Sequence, residues 1–207
     1  MMDFSSLVVF VAALSVAAAS PGPGIAAIVA RVLTHGAAGT VAFAAGLALG
    51  DVVWLSMAVL GLAAVAQTFH VLILAIKYVG AAYLLYLAWK LWTAPAVAPR
   101  EDLATASDRI AQGRLFFGGL AVTLGNPKVM VFYMALLPNL IDLQRVSLLG
   151  LAELSIATLA VLAAVFGAYI ALAARTRKLL RSPNAMRLVN RGTGAVMASA
   201  AVAIAAK

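Results

Sequence analysis

The sequence predicts an all-α integral membrane protein with six transmembrane helices, arranged as two inverted three-helix repeats with broken helices 1 and 4. Three observations carry this expectation. Of 207 residues, 65% are hydrophobic and 11% are charged, whereas a water-soluble domain has about a quarter of its residues charged. The apolar residues gather into runs near the ~20 residues that cross a bilayer. Two of these runs carry prolines at corresponding places, in "SPGPG" (residues 20–24) and in "GNPK" (residues 125–128).

The first hydrophobic segment runs from Phe4 to Leu33 and is broken at "SPGPG". Its start has the length of a secretory leader. No Lys or Arg precedes the apolar run, however, Asp3 is acidic and proline follows at once, so the segment is read as a retained helix. The second segment runs from Gly39 to about Val65 and the third from about Val71 to Trp92. A polar, proline-bearing linker over residues 93–112 separates repeat one (1–92) from repeat two (113–207), both within one transport domain, 1–207. The fourth segment runs from Leu115 to Ile141 and is interrupted by "GNPK"; the fifth runs from Val146 to Ala174. After the basic stretch "RTRKLLRSPNAMRLVNR", the sixth runs from Gly192 to Ala206.

Basic residues set the orientation, because cytoplasmic loops of membrane proteins are rich in Lys and Arg. With both termini outside, eleven basic residues between Arg31 and Arg191 fall on the cytoplasmic side, against Arg145 and Lys207 outside. The net charge of +8 then marks topology, and no nucleic-acid partner is expected. The stretch before segment six also suits anionic lipid headgroups. The chain has no cysteine, which excludes thiol redox chemistry, disulfides and thiolate metal sites.

Three spans per repeat turn the second repeat upside down relative to the first, a recurrent transporter plan. Each repeat opens with an interrupted span and carries one carboxylate in its second span, Asp51 and Glu153. Pro23 precedes Asp51 by 28 residues and Pro127 precedes Glu153 by 26.

Proline has no amide hydrogen and collides with the preceding turn. At membrane depth the backbone groups it frees survive only inside protein or beside a water-filled cavity. Two breaks at similar depth therefore point to a shared polar cavity. A half-helix starting near Gly24 would aim amide hydrogens and the positive end of its dipole into it, which suits a carboxylate. Gly22 and Gly24 leave the backbone open to close approach.

Four ionisable residues fall inside spans: Asp51, Lys77, Lys128 and Glu153. Their charges cancel, as expected of groups that face the interior and one another. Helical spacing puts Asp51 with Ala44 and Ala48, Lys77 with Gly80, Ala81 and Ala88, and Glu153 with Ala157, Ala160, Ala164 and Gly167. Such small-residue faces pack against neighbouring helices. At 1.5 Å per residue, Asp51 and Lys128 lie roughly 20 Å into their spans. Lys77 and Glu153 lie about 10 Å from the outer ends of theirs. A carboxylate in a wet pocket can hold either a proton or a cationic amine, which is the logic of an antiporter. Tyr83, Tyr86, Tyr133, Trp54 and Trp89 are candidates to line the cavity, but aromatics near span ends are more often interface anchors, so they are left out of the site.

"SPGPG", "GLALGD", "KYVGAAYLLYLAWKLW" and "GNPKVMVFYMALLP", in that order and spacing over residues 1–145, resemble the lysine exporter / threonine–homoserine efflux (LysE/RhtB) family. The last two spans resemble it in hydropathy alone. The resemblance implies a multi-pass exporter of amino acids or their derivatives in the bacterial cytoplasmic membrane, driven by proton antiport and acting as a homodimer, with no cofactor. The family's broken first helix falls on Pro21, Gly22 and Pro23, and its second-span acid on Asp51. Its third-span lysine and glycine fall on Lys77 and Gly80, and its Asn-Pro-Lys on Asn126, Pro127 and Lys128. Where the family often has a polar residue after Pro-Gly-Pro, this chain has Gly24, which leaves its substrate open.

The alternative is a divalent cation transporter or another small-solute permease of the same superfamily. Cation sites want several oxygen ligands close together, and two intramembrane carboxylates are few. A membrane thiol-redox carrier needs paired cysteines. No nucleophile with a base and no metal cluster stands in the spans, so no catalytic residue is expected and the chain is not read as an enzyme.

Overall fold

The computed structural model describes residues 3–61 and 108–179 continuously, with isolated positions between 78 and 93 and between 188 and 202. Lys77, Gly80, most of the third and sixth hydrophobic segments and most of the linker lie outside the described residues.

All described regular structure is helical. Helix α1 spans Phe4–Ala19 and α2 spans Pro23–His35. A short 3₁₀ turn, Ala38–Thr40, leads into α3, Val41–Val59. Helix α4 spans Asp108–Leu124 and α5 spans Pro127–Val131. A single π-type turn, Phe132–Leu136, joins α5 to α6, Leu137–Leu140. Helix α7 spans Leu148–Leu179.

Length and composition let Ala38–Val59 and Leu148–Arg177 each cross a membrane as one helix. The other two candidate spans are bent. Phe4–Ala19 meets Pro23–His35 at 54°, and Gln112–Leu124 meets Pro127–Leu140 at 54°. Both interruptions expected from the prolines are present, with the same bend.

The boundaries depart from expectation in three places. Helix α3 stops at Val59, short of Val65, where Leu60 leaves the helix and Gly61 takes a positive φ of 70°. Helix α4 starts at Asp108, inside the stretch read as linker, because "DRIAQGR" contains no helix breaker beyond one glycine. Helix α7 continues past Ala174 through the first basic residues to Leu179; charged side chains at a helix end need not stop the helix.

The tightest crossing is between α3 and α4. A methyl group on Gly46 would lie 1.9 Å from the Phe116 carbonyl oxygen, and one on Gly119 would lie 2.0 Å from the Phe43 carbonyl oxygen. The crossing is thus reciprocal, glycine against backbone in both directions, the close approach that small residues permit between membrane helices. Asp51 leaves α3 one residue beyond Gly50, which packs on Thr123, so this crossing fixes Asp51 against the second break.

Two apolar cores flank that level. One joins Ile25, Ile28 and Val32 of α2 to Phe43, Leu47, Val122, Leu162 and Phe166. The other joins Phe10 and Leu14 of α1 to Trp54, Leu55, Phe132, Tyr133, Leu137 and Leu154. Trp54 and Tyr133, set aside from sequence because such aromatics are more often interface anchors, are instead fully buried in this second core. Helix α7 spans both cores through Leu154, Thr158, Leu162, Phe166 and Ala173. Its small residues Ala160, Ala164 and Gly167, expected to face the bundle, are exposed; large side chains fill its packed face.

Candidate functional site at the two helix breaks

Each break is built the same way. Helix α1 ends at Ala19, Ser20 turns extended, and α2 opens at Pro23 with Gly22 as its N-cap. Helix α4 ends at Leu124, and α5 opens at Pro127 with Asn126 as its N-cap. The prolines do more than interrupt. A proline in the first turn sacrifices an amide that has no intrahelical acceptor anyway, and it holds the preceding residue extended, as Gly22 and Asn126 are.

The caps differ. The Asn126 side-chain oxygen accepts the Lys128 backbone N–H at 3.0 Å. Gly22 has no side chain and makes no such cap. The first-turn amides of Gly24 and Ile25 therefore lack the partner that Asn126 gives to α5, and both residues line the cavity between the breaks. The broken spans also free carbonyl oxygens at the ends of α1 and α4. Long-range side chains take them up. The Tyr169 hydroxyl donates to the Ala19 carbonyl at 2.8 Å, the Lys128 ammonium donates to the Ser20 carbonyl, and the Trp54 indole N–H donates to the Thr123 carbonyl at 3.3 Å.

The cavity lies at the seam between the two apolar cores. Ser20, Gly22, Gly24, Asp51, Thr123, Asn126 and Lys128 form its polar side; Leu14, Leu47, Phe132, Leu162 and Phe166 form its apolar side. Asp51 is 6% exposed, and that exposure opens here. Lys128 lies within electrostatic reach of it, and the lysine stem passes over Gly22, 3.4 Å from where a methyl group there would stand. A partly desolvated carboxylate, an ammonium and two uncapped amides thus surround one apolar-walled space. That set matches a zwitterion: a positive group on Asp51, a negative group on the α2 amides and Lys128, and a side chain against Leu47, Leu162 and Phe166.

The structure brings together Gly22, Gly24, Asp51, Asn126 and Lys128 as cavity lining, with Pro21 and Pro23 framing one break and Pro127 opening the helix after the other. Glu153 sits near the start of α7, half-buried and not among the lining residues. Lys77 lies outside the described residues. Sequence reading missed Thr123, which lines the cavity. Thr123 carried a signal, three residues before Asn126 and so on the face of α4 that meets the break.

A family model described as LysE type translocator matches residues 15–207. The chain is 32% identical over 177 residues to a homoserine/homoserine lactone efflux protein of Salmonella typhimurium, covering 86% of this chain and 84% of that one. It is 31% identical over 179 residues to an uncharacterized membrane protein of Vibrio cholerae serotype O1, covering 86% and 85%. It is 33% identical over 123 residues to a leucine efflux protein of Enterobacter sp., covering 59% and 57%. No solved structure matches the chain.

Proposed function

Because the chain belongs to the LysE type translocator family, we propose that it is a secondary transporter exporting amino acids or amino-acid-like solutes from the cytoplasm by proton antiport. Translocators move solutes and are not an enzyme class. The observation that carries the reading is the joining of both helix breaks around one cavity that holds Asp51, Lys128 and the uncapped start of α2.

In this reading Gly24 and Ile25 donate their amides to the substrate carboxylate, with Lys128 adding charge. The substrate ammonium sits on Asp51. When the site is empty of substrate, Asp51 holds a proton instead, so outward release of amine and inward carriage of a proton use one carboxylate. The hinges at Gly22 and Asn126 let the half-helices tilt and expose the site to one side and then the other. The matching 54° bends support two inverted repeats of three spans, 1–92 and 113–207. The positive-inside bias supports both termini outside, in a bacterial cytoplasmic membrane. The homodimer, and roles for Lys77 and Glu153, are carried by the family resemblance and by intramembrane charge.

Among the described residues lining the cavity, Asp51 is the one carboxylate, which favours an amine over a divalent cation. The test is transport by the purified full-length chain in proteoliposomes. Labelled homoserine and leucine are the first probes, since relatives are named for exporting them. Uptake driven by an imposed pH gradient is expected; flux driven by a divalent metal gradient with no amino-acid transport would overturn the reading.

A further inference from the structure

Near Asp51 stand two hydroxyls from other elements that are not among the residues lining the cavity. Tyr133 and Thr158 are both 0% exposed. The Tyr133 hydroxyl faces the Asp51 carboxyl and the Thr158 hydroxyl, yet neither Tyr133 nor Thr158 closes a hydrogen bond.

That is unlike their neighbours. Ser56, Ser155 and Thr176 each fold back onto the carbonyl four residues earlier, at 2.8, 2.8 and 3.0 Å, the usual refuge of a hydroxyl in an apolar helix. Thr158 leaves the equivalent carbonyl alone. Trp54 and Tyr169 both place their polar tips on backbone carbonyls; Tyr133 does not. Leaving a buried hydroxyl without a partner is costly, and here two such groups meet beside a third polar group that changes charge in the proposed cycle. Tyr133 also stands in the π-type turn Phe132–Leu136, an irregularity frequent at functional sites, which gives its backbone an alternative to the regular α-helical ladder.

We propose that Tyr133 and Thr158 are positioning residues that set the charge state of Asp51 from outside the cavity lining, an assignment that rests on the antiport reading. When Asp51 is ionised, the Tyr133 hydroxyl donates to it and the Thr158 hydroxyl donates to Tyr133, so that Asp51 is held ready for a cationic amine. When a proton arrives from the cavity, an O–H bond forms on the carboxyl, the demand for donors falls and Tyr133 relaxes in the π-type turn. The proton leaves to cavity water when the next amine binds, so one proton is taken up and one released, and no other bond changes. Lys128, the one other titratable side chain lining the cavity among the described residues, bears on Asp51 electrostatically from within the cavity lining.

The experiment compares wild type with Tyr133→Phe, Thr158→Val and Thr158→Ser in proteoliposomes, by labelled homoserine counterflow at symmetric pH and by uptake driven by a pH gradient. At a symmetric pH high enough to ionise Asp51 without these hydroxyls, Tyr133→Phe and Thr158→Val should keep counterflow within about twofold, while gradient-driven uptake falls by about tenfold, the scale of one hydrogen bond to a charged group. Their pH profiles should move by about one unit, and Thr158→Ser should match wild type. A merely structural role would lower the yield of active protein and leave the pH profile in place. Wild-type drive that persists with an unmoved profile in both variants overturns this assignment alone. Wild type that shows counterflow but no gradient-driven uptake overturns the antiport reading, and this assignment with it.

Discussion

Across 108 residues of chain, the Lys128 ammonium donates a hydrogen bond to the main-chain carbonyl of Ser20. One end of the bond belongs to the second proline break and the other to the first. Each break alone is a familiar membrane kink. The bond makes them one structure, because the carbonyl freed at the end of α1 is satisfied by the residue that follows Pro127. It also places a positive charge beside the negative end of one half-helix and near the uncapped amides of the next, so the cation serves both the backbone and the cavity.

Two roles on one side chain can be separated. Lys128→Gln keeps a donor able to reach toward Ser20 and removes the charge; Lys128→Ala removes both. Lys128→Gln should leave the thermal midpoint in detergent close to wild type and lower amino-acid efflux by at least about tenfold, as a charged hydrogen-bonding partner of substrate is lost. Lys128→Ala should lose efflux equally and also lose about 0.5–1.5 kcal/mol of stability, because the bond that ties the end of α1 to the second break is gone. Equal efflux in wild type and Lys128→Gln would show that the lysine is a cap and nothing more.

Asp51 is the residue on which the antiport reading turns. Asp51→Asn keeps the shape and removes the proton site. Gradient-driven uptake should vanish into background, whereas binding of a substrate lacking the amine should survive. Full gradient-driven flux in this variant would place the coupling proton elsewhere.

Much of this candidate site is legible in the sequence. Proline chemistry located both breaks, and the intolerance of hydrocarbon for lone charges picked out Asp51 and Lys128. What sequence could not show was direction. The face of α7 bearing Ala160, Ala164 and Gly167 has the spacing of a packing face, but the bundle is filled instead by Leu154, Leu162 and Phe166. Periodicity fixes which residues share a face and leaves open which face turns inward. Tyr133 failed for a related reason: an aromatic near a span end is usually an interface anchor, and only the π-type turn and the packing of α1 and α3 around it put it in the core. The hydrogen bond to Ser20 was hidden as well, since backbone carbonyls carry no sequence signal.

Gly24 lines the cavity at the start of α2, and the site has space there. A methyl group at Gly24 would meet the Leu47 side chain at 3.4 Å, an ordinary contact with a movable neighbour. Gly24→Ser should therefore fold normally and add a hydroxyl to the cavity wall next to the α2 amides. Competition against labelled homoserine should then shift in favour of hydroxylated amino acids over leucine, by up to about tenfold for one added hydrogen bond. An unchanged competition order would mean that the substrate does not reach the start of α2.

The crossing of α3 and α4 supports everything above, because it sets Asp51 against the second break. Gly46→Ala would push a methyl group to 1.9 Å from the Phe116 carbonyl oxygen, and Gly119→Ala to 2.0 Å from that of Phe43. In both cases the obstacle is backbone, which cannot swing aside as a side chain can, so the helices must separate. Each substitution should cost about 3 kcal/mol or more, the upper part of the range for overpacking, and should lower the yield of folded protein as well as the thermal midpoint in detergent. Gly113→Ala supplies the control. It sits on α4 with Gly119 and has nothing within 4 Å of the added methyl, so it should be neutral or should stabilise α4 by up to about 1 kcal/mol through helix propensity. If Gly46→Ala and Gly113→Ala melt alike, α3 and α4 do not cross at these glycines, and the placement of Asp51 beside Thr123 and Asn126 goes with them.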